Sequence, residues 1–227
     1  MVEKIKIYIA LIFILVCIYY IYIYIQKIKI VNAGKLGENQ VKLILAKLNK
    51  SKYYVMNNVI LKHTNGNTTQ IDHIIISRKG IFVVETKNYA GVLYGNVNKK
   101  YWMHISGKNK HTVYNIIYQN QGHIDAIKSN VVDVIDYMPD KKCKKFFVSI
   151  LLFKDGCIVK IKKPLFYKAN FKVCKFNKLI KTIKKGHRRN IVSKQTYKNL
   201  ISEIERKNIV SRRNISKHIK QVKNIKY

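Results

Sequence analysis

Apolar residues recur along this chain in three rhythms: one long unbroken run, several short runs rich in Ile and Val, and stripes spaced three and four apart. The unbroken run is residues 7–25, IYIALIFILVCIYYIYIYI, which holds no charge. At about 1.5 Å per residue it reaches ~28 Å, close to the ~30 Å hydrocarbon core of a bilayer, so it predicts one membrane-spanning helix. Tyr8 at one end and Tyr19, Tyr20, Tyr22 and Tyr24 at the other suit the headgroup level, with Lys4, Lys6, Lys27 and Lys29 outside them. A cleaved signal peptide is the competing reading. The run is longer than a usual signal segment, and KIKIVNAGK after it offers no small-x-small cleavage site.

The shorter rhythms predict an α/β domain. Val41, Ile44, Leu45 and Leu48 recur at helical spacing in a helix that begins at 36 and ends at Asn49-Lys50-Ser51. Residues 53–61 read as a first strand and 63–67 as a turn. Residues 70–76 and 81–87 flank Ser77-Arg78-Lys79-Gly80 and predict a β-hairpin with a four-residue loop. Gly91 and Gly95 break the next run, which ends at Lys99, and 101–105 pairs back on it. A helix over 113–129 carries Ile116, Ile117, Ile124 and Ile127 as its stripe, and 145–153, with FFVSILLF, is a buried strand closing the core sheet. Residues 156–166 add a short strand pair that Pro164 confines to an edge. Two helices, 177–185 and 193–208, precede a polar basic tail.

The hairpin is where chemistry concentrates. If Ile76 faces Ile81, Asp72 falls opposite Glu85 and Gln70 opposite Lys87, all on one face because strand side chains alternate. Two carboxylates roughly 5 Å apart at Cβ repel unless something compensates, and a divalent cation does. One or two carboxylates with waters and substrate phosphates suit Mg²⁺ (or Mn²⁺). Lys87 would orient or help deprotonate an attacking water, or stabilise charge on phosphorus oxygens. The reaction class this points to is phosphodiester hydrolysis.

Asp72 followed after a hairpin by Glu85-Thr86-Lys87 resembles the acid and E-x-K signature of the restriction-endonuclease-like, or PD-(D/E)xK, nucleases. The wider series is similar to the nuclease-related domain, NERD: GKLGE at 34–38, TQIDHIIIS, GIFVVETKNYAG, Trp102, and NIIYQNQGHIDAI from Asn115. Ile116 departs from that pattern, which usually has Pro after the Asn, and touches only a helix entry. The resemblance covers roughly residues 34–130. It implies a mixed central β-sheet flanked by helices, here preceded by one transmembrane helix, and a metal held by Asp72, Glu85 and the Thr86 backbone carbonyl. It implies further that Gln119, on the helix after the E-x-K strand, approaches the site. Glu38, in the GE block, is either a metal-ligating or substrate-positioning acid or one stabilised by its helix N-terminus; both readings stay open. His123, four residues from Gln119, and His73, pointing away from Asp72, are expected to hydrogen-bond structurally. Trp102 is expected to be a packing anchor.

Charge widens the list of partners. Lys and Arg number 45 against 11 Asp and Glu, a net charge of +34, and from residue 141 onward 27 basic residues face only Asp155, Glu203 and Glu205. Such a surface attracts nucleic-acid phosphates or anionic lipid. Part of the lysine excess is compositional, since Lys, Ile, Asn and Tyr codons draw on A and T. Scarcity of acids makes a facing acid pair more informative. Lys27, Lys29 and Lys35 favour a cytoplasmic C-terminal portion. Cys17 lies in the span, while Cys143, Cys157 and Cys174 show neither zinc-knuckle spacing nor an even disulfide set. No phosphate-binding Gly loop, H-E-x-x-H helix or nucleophile elbow occurs. The chain thus divides into an anchor at 1–30, a nuclease-like core at 34–155 and a basic, mainly helical extension at 156–227. The expected activity is Mg²⁺-dependent hydrolysis of DNA; the alternatives are a catalytically inactive, membrane-tethered nucleic-acid-binding module and a basic domain lying on anionic lipid.

Overall fold

The computed structural model describes residues 2–136, 138–165, 167, 170–186 and 189–209. The basic tail beyond 209 lies outside them. A single helix, α1 (Val2–Leu45), joins the apolar span to the helix expected from residue 36. No proline interrupts residues 26–35, so nothing breaks the hydrogen-bond ladder between the two. Its apolar residues from Ile5 to Leu36 stay exposed, except Cys17 and Ile23, which are half-buried. The stretch is long and apolar enough to cross a membrane. From Gly37 onward α1 lies on the protein. A Cβ at Gly37 would sit 2.6 Å from Asn88 Cβ, and Asn88 Nδ2 donates to the Ala33 carbonyl at 2.7 Å. That close approach requires glycine.

The main sheet has five strands in the order β1-β2-β3-β7-β9: β1 (Tyr54–Lys62), β2 (Thr68–Ser77), β3 (Gly80–Lys87), β7 (Phe147–Phe153) and β9 (Phe171–Lys175). β1, β2 and β3 run antiparallel, while β3–β7 and β7–β9 are parallel. The hairpin keeps the expected register, Ile76 opposite Ile81, and the pairing extends to Ser77–Gly80. Its loop is therefore Arg78-Lys79 alone, two residues shorter than expected, because Ser77 Oγ donates to the Gly80 carbonyl (3.0 Å) and Gly80 adopts φ 152°.

β4 (Val92–Asn96) and β5 (Tyr101–Ser106) pair antiparallel, as expected of 101–105 and the run before it, while β6 (Asn109–Tyr114) and β8 (Ile158–Lys162), not anticipated as their partners, complete a second sheet in the order β6-β5-β4-β8. Val113 and Tyr114 are thus strand, and the helix expected from 113 starts later as α2 (Ile116–Asn130), capped by Asn115 Oδ1 accepting from the Ile117 N–H at 2.9 Å. Of the strand pair expected at 156–166, the described residues form only β8, pairing in parallel with β4. The run from 145 starts as strand only at Phe147, after α4 (Asp140–Phe146), and β7 lies inside the sheet with β9 beyond it.

Helices cover both faces of the main sheet. On one, Ile74, Ile76, Ile81 and Val83 pack under α2, α3 (Val132–Ile135) and α6 (Lys194–Lys207) through Ile124, Ile127, Ile135, Leu200 and Ile204. On the other, Ile75, Phe82, Val84 and Ile150 meet Val41 and Leu45 of α1 and Leu179 and Ile183 of α5 (Leu179–Lys184). A third cluster, including Leu93, Trp102, Leu151 and Phe153, joins the second sheet to the end of β7. Trp102 is buried there, its Nε1 donating to the Asn96 carbonyl at 2.9 Å, with Gly95 against its ring.

Candidate functional site

The hairpin ladder ends at His73–Val84. Beyond it β3 stays with β7, pairing Glu85 with Leu151 and Lys87 with Phe153, whereas β2 stays with β1, pairing Gln70 with Ile60. Gln70 therefore does not face Lys87; its amide approaches Asn58 Oδ1 at 3.4 Å. At the fork the Asp72 carboxylate replaces the missing ladder partner, accepting from the Thr86 N–H at 2.8 Å. A strand residue directs its N–H and C=O to the same edge, so the Thr86 carbonyl also points toward Asp72. Asn58, between the pairs Asn57–His73 and Val59–Ile71, has φ 54°. Alternation slips there: Met56 and Val59 enter the same core, as do Ile71 and Ile74.

Glu85 is buried with two cationic or N–H partners. Lys87 Nζ lies 2.6 Å from Oε1 and His123 Nε2 3.0 Å from Oε2. Lys87 also donates to Gln119 Oε1 at 3.1 Å, and the Thr69 hydroxyl meets His123 Nδ1 at 2.8 Å. A neutral ring that donates at Nε2 accepts from Thr69 at Nδ1. Gln119 and His123 stand one turn apart on α2, so they meet Lys87 and Glu85 side by side. Between them in sequence, fully buried Asn120 fixes the helix: its Nδ2 donates to the Val83 carbonyl (3.0 Å) and to Ser149 Oγ (2.8 Å).

Electrostatics separate the two acids. Burial alone would raise the Glu85 pKa, but the Lys87 charge and the His123 hydrogen bond overcome it and bring it to about 2. Burial pushes Asp72 well above the usual carboxylate range, and the Glu85 charge adds to this, outweighing Lys87 and the Thr86 N–H. Lys87 is raised above an ordinary lysine: burial opposes its charge, yet Glu85, Tyr89 and Asp72 hold it cationic. Glu38, half-buried on α1, is raised by burial and then by Glu85, and it acts on Asp72 in turn. The site thus gathers Asp72, Glu85, Lys87 and Gln119, with Glu38 within electrostatic reach. His73 is elsewhere, its Nδ1 2.7 Å from Asn57 Oδ1, and burial lowers its pKa to about 4.

Among the described residues no three His, Cys, Asp or Glu side chains form a cluster able to cage an ion alone. Magnesium needs no such cage, since it keeps waters and takes one or two carboxylates. The donors at the fork are hard oxygens, and a carboxylate has about four acceptor sites, so Glu85 retains capacity beyond Lys87 and His123. Buried Thr86 Oγ1 and Asn88 Oδ1 have no protein partner at the same strand end, which suits ordered water. Asp72, Glu85 and the Thr86 carbonyl fit such an ion. Sequence reasoning missed Asn120 and Thr69; the i,i+4 spacing of Gln119 and His123 was the available signal for the contact to Glu85.

These features, an acid at a strand fork and E-x-K on the adjoining strand of a mixed sheet, define a nuclease-like α/β domain. The nuclease-related domain family model matches residues 33–154, and the chain belongs to that family. It is 46% identical over 95 residues to an uncharacterized protein of Bacillus anthracis, a match covering 42% of this chain and 45% of that protein. The chain thus spans under half the length of that relative. No solved structure matches.

Proposed function

We propose that this protein is a membrane-anchored nuclease that hydrolyses phosphodiester bonds of nucleic acid, with DNA as substrate and Mg²⁺ or Mn²⁺ as cofactor. One observation carries the reading: the Glu85–Lys87 ion pair at 2.6 Å, set beside Asp72 at the fork of β2 and β3. Asp72, Glu85 and the Thr86 carbonyl would hold the ion. When bound, it supplies Lewis-acid polarisation of a phosphoryl oxygen. Lys87, held cationic, does not accept a proton at neutral pH. Its part is to orient the attacking water and stabilise charge developing on the phosphorus oxygens. Gln119 fixes the ammonium, and His123, oriented by Thr69, fixes the Glu85 carboxylate. Glu38, with its raised pKa, is placed on the α1 side to position substrate or take up a proton. Residues 7–25 would form the anchor, and the basic flank at Lys27, Lys29 and Lys35 supports a cytoplasmic side for the domain, where anionic lipid could also meet its lysines.

Plasmid nicking by the full chain in detergent micelles, with Mg²⁺, Mn²⁺ or EDTA, tests this. Wild type nicks only with a divalent cation, and Glu85→Gln does not. Equal cutting by the variant would sink the assignment. A second reading, an inactive tethered nucleic-acid-binding module, is favoured by the engagement of both Glu85 oxygens by Lys87 and His123. It predicts salt-sensitive DNA binding with no metal-dependent turnover.

A further inference from the structure

The second sheet presents two unlike faces. Leu93, Trp102 and Val159 turn toward the main sheet. The positions between them turn outward, and the strand pairing sets them in rows: Tyr114 beside Tyr101, and Thr112, Met103, Tyr94 and Lys160 across all four strands. Tyr94, Tyr101 and Tyr114 are 42%, 55% and 44% exposed, well beyond what a sheet face needs for its own packing. No Asp or Glu occurs from residue 86 to 124 or in β8, whereas Lys110 and Lys160 stand exposed on this face. Lys160 Nζ lies 5.3 Å from the Tyr94 ring centroid, so cation and aromatic face are already interleaved.

We propose that this outer face is a binding platform for single-stranded nucleic acid, with bases stacking on Tyr94, Tyr101 and Tyr114 and phosphates held by Lys110 and Lys160. The proposal rests on the nuclease reading above and names the form of substrate that site receives. Aromatic rings on an open sheet stack unpaired bases, whose π-faces are free; in a duplex those faces are already covered. A strictly cationic surface complements a phosphate backbone through counterion release. The platform also leads to the candidate site. The Tyr114 ring lies 6.5 Å from that of Tyr118, the residue before Gln119 on the first turn of α2.

Fluorescence anisotropy with the full chain in detergent micelles and EDTA tests this, using labelled oligo(dT), oligo(U) and a hairpin duplex, with sedimentation on phosphatidylserine vesicles alongside. Tyr101→Ala/Tyr114→Ala is expected to lose about tenfold or more in affinity for single strands and little for duplex, whereas Tyr101→Phe/Tyr114→Phe keeps it. Loss on both oligonucleotides supports the platform, and loss on one supports it and identifies the sugar read. Unchanged single-strand binding, or equal loss on duplex, overturns it; loss confined to vesicles makes the face a lipid contact. Lys110→Gln/Lys160→Gln leaves the rings in place and is expected to reduce the salt slope on single strands by about 0.7 per lysine, and an unchanged slope counts against the proposal. Binding in EDTA does not depend on turnover. Failure here is therefore separable from failure of Glu85→Gln to abolish nicking.

Discussion

The two sheets solve opposite problems with the same backbone geometry. The five-stranded sheet is covered by helices on both faces, and β2, β3 and β7 are nearly continuous in buried Ile, Val, Leu and Phe. A charge placed there must be matched side by side, and Glu85 is, by Lys87 and His123. The four-stranded sheet turns one side toward the main sheet through Leu93, Trp102 and Val159 and leaves the other to solvent, and its strand β6 is exposed along almost its whole length. Its lysines need no individual partner, because water and salt carry the cost and their effect is collective. One sheet therefore fixes a few charges in place, while the other offers a field and a surface.

The sharpest way to break that contrast is at its centre. Glu85→Gln keeps the shape but removes the charge Lys87 and His123 are built around, and nicking is expected to fall by about 10²–10³, the scale of losing one preorganised electrostatic contact. Asn120→Leu leaves Ser149 Oγ and the Val83 carbonyl buried without this donor; a loss of about 1–3 kcal/mol is expected, read as a lower melting temperature in detergent.

Asp72→Asn sharpens the comparison through its sign. The folded pKa of Asp72 is raised, so its contribution to stability is fully present below its unfolded value and is lost as pH rises through the folded one. At pH 7.5 without divalent cations, Asp72→Asn should therefore melt a few degrees higher than wild type, roughly 2–4 °C per kcal/mol, and the gap should narrow in acid. Glu85 behaves oppositely: its contribution is present above the ordinary value of 4.5 and is lost as pH falls from there to about 2. A melting curve of Asp72→Asn below wild type at pH 7.5 would contradict the charge balance described. The smallest effect belongs to the open sheet: Tyr101→Ala, on the exposed face, should shift stability by no more than about 0.5 kcal/mol.

Much of the site was legible because it lies along short stretches of chain. The hairpin register follows from the apolar runs around Ser77-Arg78-Lys79-Gly80, and Gln119 and His123 share a helix face by their spacing. The fork was not legible: Gln70 and Lys87 look opposed on paper, yet β3 follows β7, a strand 60 residues further along from Lys87 to Phe147. Asn120 gave no signal of its own either. A polar residue inside an apolar stripe reads as surface until the carbonyl and hydroxyl it satisfies are brought to it. β9 escaped notice because FKVCK is short and alternates weakly, and only its place beside β7 makes it a strand.

The sequence by itself determined an uncharged run long enough to span a bilayer, the Asp72 and Glu85-Thr86-Lys87 spacing, the alternation of the central hairpin and the absence of acids between Glu85 and Asp125. These are local properties, set by side-chain periodicity and by which residues occur. The tertiary structure decided that α1 runs unbroken into the domain, that β4, β5, β6 and β8 form a sheet of their own, and that His123 and Thr69 complete the surroundings of Glu85. Each depends on pairing between segments far apart in the chain, where hydrogen-bond partners and burial, rather than local pattern, select the arrangement.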